Sequence, residues 1–522
     1  MNPSELGLPS KFEGFRDGQL EIAAELSSAD KRFVLLSAPT GSGKTIIYMT
    51  LARLLEARTL VLVGTKGLQD QIVADFDEMG VVDQRGQGNY PCLALEDGGE
   101  MYGTAPLSMC DRGPCKVGVE CGLKERGCEY FDAQRRSRQA QVVVTNYAYW
   151  LALGAWSDPA ALGQFDLLVL DEAHNAPDWV TRSASAEVGR REVQELDVDA
   201  PSIEDPVMDW SRWAARASVV CKRVYGAATS AEEKLRLQGL GRRLARIVAA
   251  GGSQDGWIVE RWHGGARLVP VWPRGYCEKL LFRSIPRVVL TSATVTSQTA
   301  GYLGLRKKDF DYTEVDSAFS KERRPFVFVT AQPEVRVDRR MTEGHKRIWA
   351  RRIDEIIAGR MDRKGIIHTR SYRRAQELVE RSRFADSMIV PRDGRDTQPM
   401  VERFRSSSAP AILVSAALEE GYDFPYDECR YQVIAKVPFL DSRGPLTKAR
   451  SELDSDYLNY EAAQDLIQMA GRGMRAEDDL CETFIVDGHW KWFSRTATFP
   501  GWFKRAWKRK KGIPEPPRLV DG

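Results

Sequence analysis

No stretch of this chain approaches the ~20 consecutive apolar residues that a helix needs to cross a bilayer, so a membrane-spanning role is not expected. The opening residues, MNPSELGLPSKFEG, lack the basic and then apolar order of a secretory signal, and the cytosol is the expected compartment. Disulfides are not expected in that reducing environment. Nor is there an excess of one charge. With 75 Lys and Arg against 73 Asp and Glu, the formal net charge of +2 argues neither for nor against nucleic acid, because a groove can concentrate positive charge locally. Internal repeats and long low-complexity segments are also absent, so the 522 residues must be divided among ordinary folded units, two to four of them by length.

What is present is a soluble composition, 43% hydrophobic and 28% charged, and an uneven distribution of nine cysteines. Cys92, Cys110, Cys115, Cys121 and Cys128 fall close together, whereas Cys221, Cys277, Cys429 and Cys481 are scattered. In a reducing compartment such a cluster reads as a metal site.

Short β-branched and leucine-rich runs punctuate the chain: FVLLSA at 33–38, LVLVG at 60–64, VVVTN at 142–146, LLVLDE at 167–172 and VVLTSAT at 288–294. Their continuous apolarity predicts buried parallel strands. Between the first two lies KTIIYMTLARLLEA, apolar at helical spacing, which completes a βαβ unit. A second series runs through RPFVFV, GIIHT, AILVSA, YQVIAKV and ETFIVD between residues 324 and 487. Two α/β domains in tandem follow. Residues 86–136, rich in Gly, Cys and charge, read as an insert that a metal must organise. Residues 179–280 read as a helical insert, with Leu237, Leu240, Leu244, Ile247 and Val248 on one face before Gly251 and Gly252. Its tryptophans, Trp210, Trp213, Trp257, Trp262 and Trp272, are able to stack on bases, but packing is the stronger expectation.

The sequence APTGSGKT from Ala38 to Thr45 follows one predicted strand and opens a predicted helix, the setting a phosphate-binding loop requires. Gly41, Ser42 and Gly43 expose backbone N–H groups, Lys44 reaches the β and γ phosphates, and Thr45 offers a hydroxyl to Mg²⁺. Ala38 stands where the general pattern has Gly, at a position that shapes the loop without doing chemistry. Asp171, Glu172 and His174 end the LLVL strand, where Asp171 is placed to hold Mg²⁺ and Glu172 to orient the attacking water. Further on, Gln468, Arg472 and Arg475 precede the last strand, and the two arginines, one helical turn apart, are candidate arginine fingers.

In this order, APTGSGKT, DEAH and the SAT of Ser292 to Thr294 resemble a superfamily 2 helicase. Phe15 to Gln19, FRDGQ, resembles that family's adenine-recognition motif and implies Gln19 and Arg16 at the base. GIIHT, the segment from Ser415 through EGYDF with Asp423, and QMAGRGMR from Gln468 to Arg475 resemble its later motifs. GNYPC ending at Cys92, CEYF opening at Cys128, TNY at 145–147, SAF at 317–319 and KVPF at 436–439 narrow the resemblance to the XPD/DinG family.

That resemblance implies an α/β chain of two tandem RecA-like P-loop domains with parallel sheets, an iron-sulfur insert and a helical Arch-like insert in the first. Residues 1–85, 137–178 and 281–318 would form the first motor domain, 86–136 the cluster insert, 179–280 a short Arch and 319–522 the second motor domain. It further implies ATP, Mg²⁺ and a [4Fe-4S] cluster as cofactors, single-stranded and forked or tailed duplex DNA as partner, 5′ to 3′ movement, and a monomer. Thr65, Asn146, His368 and Ser415 lie in motifs that touch the nucleic-acid backbone, although each is equally able to cap a helix or satisfy a turn.

For the cluster, Cys92 and Cys128 match the family's flanking strings. Cys115 and Cys121 complete the set, since Gly-Pro precedes one and Gly follows the other, with turns that expose sulfur. Cys110 is then a spare, although DinG-like spacing can also be read through Cys110 and Cys115. Zinc suits four thiolates as well, but the wide intervals between these cysteines lack the usual C-x₂-C pairing and favour a larger cluster. The tail from Phe503 to Lys511, basic with aromatics, reads either as sequence-independent affinity for nucleic acid or as a solvated run. Three other classes compete: a small-molecule P-loop kinase, a metal-stapled nucleic-acid-binding scaffold with a vestigial motor, and an RNA-directed helicase.

Overall fold

The computed structural model describes residues 1–95, 109–156, 158–253, 256–317, 319–329, 333–416, 418, 422–474, 478–510 and 512–518. Strands β1 (Phe33–Ser37), β2 (Thr59–Val63), β3 (Val82–Gln84), β4 (Val142–Asn146) and β5 (Leu167–Asp171) open the chain's first sheet. The chain then leaves it for a small antiparallel sheet of β6 (Ala186–Val188), β7 (Trp257–Trp262) and β8 (Gly265–Pro270), in the order β6-β8-β7. It returns with β9 (Arg287–Ser292) and β10 (Phe310–Glu314), completing a seven-stranded parallel sheet in the order β10-β1-β9-β5-β2-β4-β3.

The second domain is a second seven-stranded parallel sheet of β11 (Phe326–Val329), β12 (Gly365–His368), β13 (Met388–Ile389), β14 (Ile412–Ser415), β15 (Tyr431–Ile434), β16 (Glu482–Ile485) and β17 (Trp507–Lys510). Its order is β13-β14-β12-β15-β16-β11-β17. Every residue of β1, β2 and β5 is buried, as expected of strands covered on both faces by helices. Residues alternate between two apolar layers: Leu35, Leu60 and Leu168 pack into one, Val34, Val61 and Val169 into the other. The architecture is the tandem RecA-like α/β fold expected from the motifs.

Two expectations need correction in detail. The segment between β5 and β9 is not purely helical. A hairpin of helices Val207–Ala227 and Ala231–Ala250 packs on the β6-β8-β7 sheet, whose short strands carry little alternation to betray them. Leu237, Leu240, Leu244 and Ile247 form the expected buried face, but Val248 is exposed. Trp210, Trp213 and Trp272 are buried, in keeping with packing. The basic tail, in turn, is an ordered edge strand, Trp507–Lys510 pairing with β11, while Lys504, Arg505, Arg509 and Lys510 keep exposed side chains.

Both seven-stranded sheets bring the carboxyl ends of strands to a shared cleft, which is closed by direct contacts. Arg450 of the second domain is buried against the first, donating to the carbonyl of Val271 (2.9 Å), to Asp178 (2.7 Å) and to Thr181 (3.0 Å). Tyr302 donates to Asp454 at 2.6 Å and stacks on Trp272. Gly471 approaches the first domain so closely that a Cβ there would lie 3.2 Å from Thr40 Oγ1.

Candidate ATP site and its neighbours

The loop after β1 turns back on itself at Gly41 and Gly43, both at positive φ (79° and 74°) that side chains rarely adopt. There is no room for side chains either. A Cβ on Gly41 would sit 2.1 Å from the ring of Phe319, and one on Gly43 would sit 2.3 Å from Gln19 Nε2. The loop hands over to helix Lys44–Leu54, whose N-terminus carries no side-chain cap and so leaves its first N–H groups available to phosphate. Gln19 braces the loop, its amide donating to the carbonyl of Ser42 (3.0 Å) while its oxygen accepts from Arg16 N (2.9 Å). Arg16 itself donates to the carbonyl of Gly41 (2.9 Å). The two residues expected at the adenine thus also hold the phosphate loop in shape.

β5 lies two places from β1 in the sheet, and its end delivers Asp171 and Glu172 opposite that loop. Lys44 Nζ is 3.5 Å from Glu172 Oε1. Glu172 has φ 46°, a strained left-handed conformation for a side-chain-bearing residue, of the kind found where a site dictates the backbone. Burial and then the neighbouring Glu172 push the Asp171 carboxyl up to about 7, against the pull of Lys44. Burial alone would raise Glu172 too, but Lys44, His174 and Ser292 outweigh it and hold that carboxyl far below the usual range. The pair is therefore split, with Glu172 the more readily ionised of the two and Asp171 the more readily protonated.

From Glu172 a chain of polar contacts leaves the site. Ser292, at the end of β9, donates to Glu172 Oε2 at 2.9 Å and lies 2.7 Å from His174 Nδ1. Thr294 is 3.2 Å from Ser292 and donates to Gln464 Oε1 of the second domain at 3.0 Å. Sequence reasoning singled out the SAT string but missed Gln464, one helical turn before Gln468 on the same helix, Tyr457–Ala470. The spacing of four was the available signal.

Gln468 lines a small interdomain pocket of about 110 Å³ with His174, Gln464 and Arg472. Its amide nitrogen is buried and has no partner among the described residues. The helix ends at Ala470, so Arg472 sits on a tighter turn rather than on the helix expected. Its guanidinium donates to the carbonyls of Tyr422 (3.1 Å) and Leu418 (3.2 Å). Arg475, and Glu420 and Gly421 of the preceding motif, lie outside the described residues. Asp423 is next to Phe424, whose N–H is bonded to the carbonyl of Arg472.

Residues 14–188 match a family model described as type III restriction enzyme, res subunit, and residues 357–506 match one described as helicase C-terminal domain. The ATP-dependent helicase DinG of Mycobacterium tuberculosis (strain H37Ra) is 25% identical, over 92% of this chain and 91% of its own length. The ATP-dependent DNA helicase YoaA of Escherichia coli K12 is 21% identical, over 94% of each. A solved XPD helicase structure superposes with a TM-score of 0.60 over 95% of this chain and 99% of its own, at 15% identity, a likeness of fold.

The chain is XPD/DinG-like: it carries a helicase C-terminal domain and is similar over nearly its whole length to ATP-dependent helicases.

In this helicase three of the four residues expected at the nucleic-acid backbone have side-chain partners within the protein, and the Ser415 hydroxyl has none among the described residues. Thr65 caps helix Lys66–Asp75 by accepting from Leu68 N, and Asn146 accepts from Tyr149 N at 2.9 Å. His368 is buried against Gln432 (3.0 Å), and burial pushes its imidazole down to about 4, so it is neutral at physiological pH. Ser415 is buried at the end of β14. Thr65 follows β2 and Asn146 ends β4 in the first sheet, and His368 and Ser415 end β12 and β14 in the second, but the latter two are covered in this conformation.

The five clustered cysteines are free thiols in a region of short turns. Cys110 was expected to be a spare, yet its Sγ lies 4.0 Å from Cys128 Sγ, and burial together with Cys128 and Cys92 pushes its thiol up to about 12. Cys92 Sγ is near enough to Gly113 that a Cβ there would lie 2.8 Å from it. Cys115 is likewise raised by burial and then by Cys121, Cys128 and Cys92. Thiols that raise one another's pKa are a donor set suited to a thiophilic cation. Among the described residues, no three candidate ligands converge into a ready-made metal centre. The donors fit an iron-sulfur cluster in kind, and Cys110 is not set apart from them.

Among the described residues no helix is long and apolar enough to cross a membrane.

Proposed function

We propose that this helicase couples ATP hydrolysis to 5′ to 3′ movement along single-stranded DNA, and so unwinds duplexes with a 5′ tail. The observation that carries the reading is the polar path Lys44, Glu172, Ser292, Thr294, Gln464, which joins the phosphate loop to the second motor domain. A small-molecule kinase has no need of such a path. Here the residue that orients the attacking water is linked to a helix of the opposite domain, so the state of the γ-phosphate can be passed to domain closure. Lys44 would neutralise the phosphates, Thr45 and Asp171 would hold Mg²⁺, and Arg472 and Arg475 would stabilise the transition state on closure. Arg472 would exchange its present carbonyl partners for phosphate.

Residues 86–136 and 179–280 serve as cluster and Arch inserts in this reading. Cys92 and Cys128, with two of Cys110, Cys115 and Cys121, would hold a [4Fe-4S] cluster that orders the first insert. DNA as the strand is supported by the relatives' names, and polarity by the family resemblance. The test is steady-state ATP hydrolysis with and without single-stranded DNA or RNA, followed by unwinding of 5′-tailed and 3′-tailed duplexes. Stimulation by DNA and unwinding from 5′ tails are expected. Unwinding from 3′ tails only would overturn the polarity, and equal rates with and without any nucleic acid would overturn the motor.

A further inference from the structure

The edge of the second sheet, far from β12 and β14, carries an open pocket of about 270 Å³. Its floor is aromatic: Phe328, Trp490 and Trp507, with the two indoles edge to face at 5.1 Å. Its rim is cationic, formed by Arg495 on helix Trp490–Thr496 and by Lys508 and Arg509 on β17.

These three cations differ from most arginines of the protein, which are tied to carboxylates or carbonyls. None of them has an ion-pair partner among the described residues, and Arg495 and Arg509 are exposed. Lys491, also on the rim, is neutralised by Glu334. The Trp507 indole N–H is buried without an acceptor. Unpaired positive charge over an aromatic floor matches the chemistry of a phosphodiester strand with an exposed base: cations for phosphate, the half-buried Trp507 ring for the base.

We propose that this pocket is a second contact for single-stranded DNA, outside the motor cleft, gripping the backbone and one unstacked base. The inference rests on the nucleic-acid reading above and adds a site to it. An open edge strand bearing Lys508, Arg509 and Lys510 suits such a role, because its charges also discourage pairing with another chain.

The experiment measures binding of fluorescent oligo-dT across a salt series, for the full-length protein and for the triple variant Arg495→Ala, Lys508→Ala, Arg509→Ala. Thermal unfolding would verify that the variant is folded. The expected result is about tenfold weaker binding and a slope of log affinity against log salt shallower by about 2, since each lost phosphate contact on a single strand contributes roughly 0.7. A 5-iodouridine oligonucleotide should also photocrosslink to the wild-type peptide that contains Trp507, a readout that needs no variant. If the wild type binds no oligo-dT, the proposed function fails and this site with it. If the wild type binds but the variant keeps its affinity and slope, and no crosslink maps to Trp507, only the second contact is overturned. Polyglutamate displacing oligo-dT from this pocket at equal charge concentration would overturn nucleic acid as its ligand.

Discussion

The motor cleft and the cysteine insert are built on opposite principles. In the cleft, Lys44, Asp171 and Glu172 stand at the start of a helix or the end of a fully buried strand, so their places are set by hydrogen-bonded helix and sheet. In the insert, the cysteines sit on short turns rather than at strand ends: Cys92, Cys110 and Cys128 lean on the first domain's apolar core, whereas Cys115 and Cys121 lie outside it and depend on the insert's own turns. A preorganised site tolerates loss of a reacting group without losing shape. A site held partly by its own turns does so less.

The largest effects should come from the cleft, and they should be chemical. Glu172→Gln is expected to lower kcat by about 10²–10⁴-fold, the usual worth of a group that handles a proton or positions water, while nucleotide still binds. Lys44→Ala should abolish turnover by weakening ATP binding itself, which fluorescent-nucleotide titration separates from the Glu172 effect. Near-normal hydrolysis by Glu172→Gln would remove it from the catalytic role.

In the insert the effect should be on content and order. Cys128→Ser and Cys92→Ser are each expected to lose most iron and sulfide after anaerobic purification and to make residues 86–136 more sensitive to protease, while ATP binding stays near wild type. Serine at Cys110, Cys115 and Cys121 in turn identifies the remaining two ligands. Iron retained in Cys115→Ser or Cys121→Ser but lost in Cys110→Ser would follow the proximity of Cys110 to Cys128 rather than the turn-based choice. Zinc without iron or sulfide would replace the cluster altogether.

How far each region can be read from sequence follows the same division. The strands of the cleft announce themselves because parallel strands buried on both faces must be continuously apolar, and the glycines of the phosphate loop because only glycine fits beside Phe319 and Gln19. Thus ten of the fourteen strands of the two large sheets were legible, as was the meeting of Lys44 with Glu172 beside the glycine loop. Short or polar edge strands were not: β3, β10, β13 and β17 carry too little apolar pattern, and the basic run of β17 read as a tail. Gln464 was missed because its role exists only once two domains meet. Arg472 was placed on a helix that stops two residues earlier. The choice among Cys110, Cys115 and Cys121 was illegible for another reason, since turn chemistry says where a thiol is exposed but not where it points.

A smaller effect tests the closed cleft. Arg450→Ala removes a buried guanidinium that joins the domains, and because its partner Asp178 is about half exposed, the expected cost is only about 1–2 kcal/mol, visible as a lower Tm and faster proteolysis between the domains. The smallest concerns pH. Burial, with Asp178 nearby, pushes Glu461 up to about 8, against the pull of Arg450. Because this folded pKa lies above the unfolded value near 4.5, the folded state holds the extra proton, and its contribution is present at low pH and lost as pH rises from about 4.5 through about 8. Glu461→Gln should flatten the decline in Tm across that window, and an unchanged slope would show that Glu461 does not titrate there.

The central claim is that the cleft is a working motor driven by nucleic acid. The most direct test is ATP hydrolysis by the wild type and by Glu172→Gln, each with and without single-stranded DNA. Strong stimulation of the wild type by DNA, with none left in the variant, is the predicted result. A wild-type rate that DNA does not change, or a variant that is stimulated like the wild type, would contradict it.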